Sequence, residues 1–274
     1  MADLIRKITP VECKETVAKS QEHLIKERSL IKFQIWNNIR NQSRNNRLGV
    51  AWLVLNPLVS SLIYVFVLTV MRANLNAMNI LIGITMFNVF SVAVRSGVSS
   101  IQDYRGGIYA ERISSRVLTR GMLGSRIVNT HFQTLGAAVV LIVMFDVHVI
   151  KSASLILISI LFGIITEGFM LNFAKLIRNI PDLNNIIQYI VQLLFFTSPV
   201  LYEFSQTDGA HEIFNSYNPV MYFIEVQRGI ISEEFSFDGI NRIFVFFIMT
   251  FLVILSIRGY RTIDKVRWEV SSWS

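Results

Sequence analysis

Six long apolar blocks recur along the chain, at about 50–71, 79–101, 122–144, 153–174, 184–202 and 241–257. A hydrocarbon core of roughly 30 Å takes about 20 helical residues at 1.5 Å each, so blocks of this size match a membrane crossing. Lipid offers no water to the backbone, and segments of this length satisfy their own N–H and C=O groups only as helices. With 52% hydrophobic and only 16% charged residues in 274, the chain is also too apolar for an ordinary soluble domain. The expected fold is an all-α integral membrane protein with six transmembrane helices.

The charges fix an orientation. The first 49 residues are polar and basic and carry no apolar stretch followed by a small-residue cleavage site, so the N-terminus is expected to stay in the cytoplasm. Segments 1–49, 102–126, 175–184 and 258–274 then face inward and hold 21 of the 26 lysines and arginines. That asymmetry obeys the positive-inside rule and puts both termini in the cytoplasm. Trp36, Trp52, Trp268 and Trp273 fall on the same side, where indoles anchor at headgroup level. The basic excess is therefore accounted for by topology and lipid, and no nucleic acid is implied.

Three regions divide the chain: a cytoplasmic segment 1–49, the six-helix domain 50–257 and a cytoplasmic tail 258–274. Within the first, Leu24, Ile31, Ile35 and Ile39 recur at helical spacing among Lys26, Lys32, Gln34 and Asn37, so about 24–40 is an amphipathic helix suited to the inner leaflet or to a partner. The stretch "RLGVAWLVLNPLV" follows. Gly49 lets the surface helix turn into the membrane, Trp52 marks the headgroup level, and Pro57 removes a backbone donor about a turn and a half inside, which makes this stretch a hinge. Between spans five and six, residues 203–240 form no short loop. The segment "NPVMYFIEVQRGII" is too short and polar to span, so a re-entrant or interfacial hairpin on the outer face is expected, with Asn218-Pro219 starting its second arm.

Chemistry of bond cleavage is hard to find. No glycine precedes a lysine, which excludes a G-x-x-x-x-G-K-[ST] phosphate loop. If ATP drives this protein, ATP and magnesium sit on another polypeptide, and this chain has no cofactor of its own. His23, His131, His148 and His211 share no ligand-like spacing, so a metal site is not expected. Glu167 is the one carboxylate well within a span; Arg95, Arg126 or His131 on neighbouring spans are its candidate partners, and a structural ion pair outweighs a proton relay. Cys13 stands alone, so the fold rests on helix packing.

Aromatic residues carry a different hint. Tyr64, Phe90, Phe195, Phe196, Tyr202, Tyr217 and Tyr222 crowd the embedded and outer parts with Pro219. Aromatic faces stack on sugar rings and tolerate sliding, as a channel for a long glycan requires, although such residues also face lipid or pack between helices. On the cytoplasmic side, Gly106-Gly107 breaks the chain before a short amphipathic helix over 108–118 that exposes Glu111, Arg112 and Arg116. It can rest on the inner leaflet or enter a cleft on an ATPase.

Four stretches in order, "LGVAWLVLNPLV", "LNFAKLIRNIPDLNNII", "FFTSPVLY" and "NPVMYFIEVQRGII", make the chain resemble the permease subunits of ABC transporters that export lipid-linked polysaccharides: O-antigen, capsule and teichoic acid. The resemblance implies a homodimer in the cytoplasmic membrane, two copies of a cytoplasmic ATPase, and a glycan channel along the dimer interface. It makes 24–40 an interface helix, so that Ile31 and Ile35 join Glu111, Arg112 and Arg116 in coupling to the ATPase. It makes 203–240 an exit gate. Where family members often carry a proline before the coupling arginine and an Arg-Asp pair after span four, this chain has Ser115-Arg116 and Arg178-Asn179. An ABC-2 exporter of drugs or lipids shares this topology, and an ion-coupled secondary transporter is the alternative from another class.

Overall fold

The computed structural model describes residues 25–37, 39, 40, 76–103, 115–180, 182–233 and 242–271, with nine further positions between 51 and 66. Every regular element among them is helical: α1 (Ala77–Asp103), α2 (Ser115–Phe145), α3 (Val149–Leu171), α4 (Ala174–Asn179), α5 (Leu183–Thr197), α6 (Gly209–Ser216), α7 (Pro219–Ser232) and α8 (Arg242–Ser271). Residues 25–37 are helical as well, as are the nine positions from 51 to 66. Gly49, Pro57, Tyr64, Glu111 and Arg112 lie outside the described residues.

Four helices are long and apolar enough to cross a membrane: Ala77–Ser99, Thr119–Phe145, Val149–Leu171 and Ile243–Thr262. They coincide with the second, third, fourth and sixth apolar blocks. The fifth block becomes the 15-residue α5, which stops at Thr197 and hands over to a turn. At 1.5 Å per residue it measures about 22 Å, short of a full hydrocarbon core. Helix α2 already starts at Ser115, so Ser115–Leu118, the end of the expected short loop helix, forms its first turn.

Local chemistry sets the breaks. Asp146 turns the chain at φ 52° after α2, a left-handed conformation that Asp tolerates better than bulky residues. The ring of His148 then accepts the Ile150 N–H at 3.3 Å and caps α3. Asn218 accepts the Val220 N–H at 3.0 Å, and Pro219 occupies the first position of α7, where its missing N–H costs nothing. Helix α7 thus begins at the residues that the sequence marks.

Helix α3 lies at the centre and packs against α1, α2 and α8, while α7 rests on α1 and α3. The main core joins Ile82, Ile84 and Met86 of α1, Leu141 of α2, Leu155 and Phe162 of α3, and Ile224 of α7. Apolar burial drives little association between helices already in lipid, so close packing matters more. At the α3–α8 crossing a Cβ on Gly259 would collide with the carbonyl of Gly168. Asn172 fastens the same contact by donating to Leu255 O of α8 at 2.8 Å.

Candidate functional site

Helices α1 and α5 run antiparallel and enclose a groove of about 470 Å³. Alternation along α5 creates it. Leu183, Ile187 and Val191 pack toward Val94 and Val98 of α1, and Ile187 and Val191 share the groove lining with Asn184, Asn185, Gln188 and Gln192. Across from them α1 contributes Asn88, Ser91 and Arg95. Toward the other end, Phe87, Phe195 and Phe196 line the wall. Phe87 meets Phe195 edge-on at 5.1 Å and Phe90 at 5.5 Å, and Phe90 stacks on Phe162, which stacks on Phe223 at 4.2 Å. The groove therefore grades from a cation with amides to an aromatic wall. The aromatic end was visible in the sequence. The amide row was missed, although Asn185, Gln188 and Gln192 recur at helical spacing and one face of α5 is polar on that count alone.

Beside the groove, a buried ion pair ties the bundle together. Arg126 of α2 reaches Glu167 of α3, Nε to Oε2 at 2.9 Å and Nη2 to Oε1 at 3.2 Å, with both side chains buried. Ser96 of α1 donates to Glu167 at 2.7 Å and Tyr260 of α8 at 3.2 Å. Of the three candidate partners for Glu167, the structure selects Arg126. Arg95 instead faces the groove, and His131 lies edge-on to Phe132. Arg126 Nη1, Asn129 Oδ1, Thr130 Oγ1 and Gln133 Oε1 continue along α2 as buried polar atoms with no partner among the described residues.

At the Ala77 end of α1, Arg228 of α7 performs a second tie. Its Nη1 donates to Glu225 at 2.7 Å and to Tyr202 O at 2.8 Å, and its Nη2 to Asn79 O at 2.9 Å and Val200 O at 3.0 Å. Burial pushes the Glu225 carboxyl up, against the pull of Arg228 beside it. A Cβ on Gly83 would strike Val200 O and come within 2.7 Å of Arg228, so glycine is what admits the guanidinium. Tyr202 donates to Thr197 O at 2.7 Å and lies 2.8 Å from His211 Nε2. At the exposed rim, Lys151 beside Glu233 holds that carboxyl below its usual range.

The remaining candidates scatter. Tyr222 is buried and donates to Ser216 O, Tyr217 is exposed against Phe244, and Pro219 starts α7. Trp52 is partly exposed. Arg116 lies in the first turn of α2. In the N-terminal helix, Ile35 sits where Gly124 of α2 leaves room and Gln34 where Gly121 does. Ile31 is half-buried and Ile39 buried, so this apolar stripe turns toward the bundle, and Ile25, Phe33 and Trp36 are exposed.

The sequence profile of the ABC-2 type transporter family matches residues 29–232, from the N-terminal helix to the end of α7. The chain is also similar to the O-antigen export system permease protein RfbA of Myxococcus xanthus. The two are 26% identical over 216 residues, which cover 76% of this chain and 82% of that protein. With that match over most of its length, the chain belongs to the ABC-2 type transporter family.

Proposed function

We propose that this ABC-2 permease exports a lipid-linked surface polysaccharide of O-antigen, capsule or teichoic acid type across the cytoplasmic membrane. As a transport subunit of its family it works with an ATPase on a separate chain; ATP and magnesium bind there. The observation that carries the reading is the α1–α5 groove taken with the O-antigen export permease that the chain resembles. Aromatic rings present faces to the C–H side of sugars, and amides bond their hydroxyls. Helix α5 has no fully buried residue, which leaves Ile186, Tyr189, Leu193 and Phe196 exposed for a second copy that closes the channel. In this reading six helices span, α6 and α7 form a re-entrant exit hairpin on the outer side, and both termini are cytoplasmic.

Deletion of the gene in its native host, followed by complementation together with the adjacent ATPase gene, tests the proposal. Surface glycan should vanish on deletion and return only when both genes are supplied, and the purified complex should hydrolyse ATP faster with glycan-lipid than without. Intact surface glycan in the deletion strain would refute it. Stimulation by apolar drugs or phospholipids but not by glycan-lipid would reassign the cargo.

A further inference from the structure

Arg95 is the arginine that lines the α1–α5 groove. Arg126 has Glu167 and Arg228 has Glu225. Arg95 lies within the spanning stretch Ala77–Ser99, is exposed, and donates only to Ser91 O of its own helix, at 3.3 Å, among the described residues. An arginine one turn from the end of a spanning stretch reaches the headgroup level, where it hydrates or holds a ligand. The surroundings point to a ligand of defined sign. The groove lining contains Asn88, Asn184, Asn185 and Gln188 and, among the described residues, no carboxylate. A guanidinium with several amide N–H donors and no competing acid is a receptor for an oxyanion, and a phosphate suits its forked geometry. The groove volume of about 470 Å³ falls within the roughly 300–1,000 Å³ of small-ligand sites.

Position narrows the ligand further. On α5 the exposed Ile190 stands two residues from both Gln188 and Gln192, so hydrocarbon can lie next to the polar groove. At the far end stand Phe87, Phe195 and Phe196. An amphiphile with an alkyl chain, a phosphate and a sugar meets apolar surface, cation with amides, and aromatic wall in turn. We infer that the Arg95 end of the α1–α5 groove binds the phosphate group of the lipid carrier that bears the exported glycan. This rests on the export reading above, and Arg95 acts as a specificity-determining binding residue. Two sources offer the same chemistry: the carrier's phosphate and the headgroups of bulk phospholipid.

The test uses the full-length permease purified with its ATPase, in nanodiscs of phosphatidylcholine. A fluorescent long-chain polyprenyl phosphate is titrated, and unlabelled polyprenyl phosphate, polyprenol or phosphatidylglycerol competes. Arg95→Gln should weaken polyprenyl phosphate binding about tenfold, the scale of one charge-assisted contact, while Arg95→Lys, which keeps the charge and loses the fork, falls between the parent and Arg95→Gln, and the unfolding midpoint of both variants is unchanged. Unaltered binding by Arg95→Gln overturns the inference. So does polyprenol that competes as well as its phosphate, and phosphatidylglycerol that competes equally assigns the site to bulk headgroups instead of the carrier. No glycan is present in these titrations, so the two readings fail separately. Arg95-dependent binding in a chain whose deletion leaves surface glycan intact would sink the export reading alone. Normal export with Arg95-independent binding would sink this one alone.

Discussion

Glu167 shows how one carboxylate can look like two different machines. A lone acid in a spanning helix is what an ion-coupled carrier needs, yet here its oxygens are taken by Arg126, Ser96 and Tyr260, so that four helices converge on it. Breaking a buried pair by removing one partner costs on the order of 3–5 kcal/mol, because the survivor is left charged and dry, whereas apolar replacement of both is often nearly neutral. Glu167→Gln and Arg126→Met should therefore each lower the unfolding midpoint of the purified protein sharply, and the double variant Arg126→Met with Glu167→Met should recover most of the loss. A Glu167→Gln protein that melts normally but transports nothing would restore the ion-carrier view. The sequence had narrowed the partner to three residues because only charge and span number were readable. Which of them faces α3 depends on the rotation of α2, and rotation is set by packing across helices. Arg95 was legible as a charge in the membrane for the same reason, and its freedom from Glu167 was not.

At the level of elements, periodicity carried most of what was right. The amphipathic stretch near 24–40 is helical over 25–37, and α7 begins at Asn218-Pro219, because caps and 3.6-residue repeats are local signals. Docking partners are not local, and the apolar stripe with Ile35 and Ile39 turned toward the bundle. Gly121 and Gly124 sit three residues apart at the start of the α2 span and make room for Gln34 and Ile35. Side chains at both positions should lift the helix from its seat. Gly121→Leu with Gly124→Leu is expected to hasten tryptic cleavage at Lys26, Arg28 and Lys32 severalfold and to lower glycan-stimulated ATPase activity while basal hydrolysis persists. If cleavage quickens and stimulation does not change, the seat matters for stability and has no part in coupling.

Across the whole molecule, the two ends of the bundle are chemically distinct, and that difference can be tested as topology. Lys151 at the start of α3 pairs with Glu233 at the end of α7, and Arg228 of α7 bonds Asn79 at the start of α1, so α7 and the Asp146 turn share one end. The N-terminal helix sits at the other end, on α2 near Gly121 and Gly124. Four helices cross by length, and the count of six turns on α5 and on the stretch from 51 to 66. Helix α5 of about 22 Å is short for a crossing, but the turn at Ser198–Tyr202 and the 3₁₀ segment Phe204–Gln206 extend the path beyond it. Cysteine accessibility resolves whether that path crosses. With Cys13→Ser as background, Asp146→Cys and Asp208→Cys should react with a membrane-impermeant thiol reagent in intact cells. Lys26→Cys and Asp182→Cys should react only after permeabilisation. Because Asp182 precedes α5 and Asp208 precedes α6, labelling of both from one side would mean that α5 enters and leaves by the same face. Opposite labelling makes α5 a true span, and the positive-inside asymmetry then fixes which face holds the ATPase.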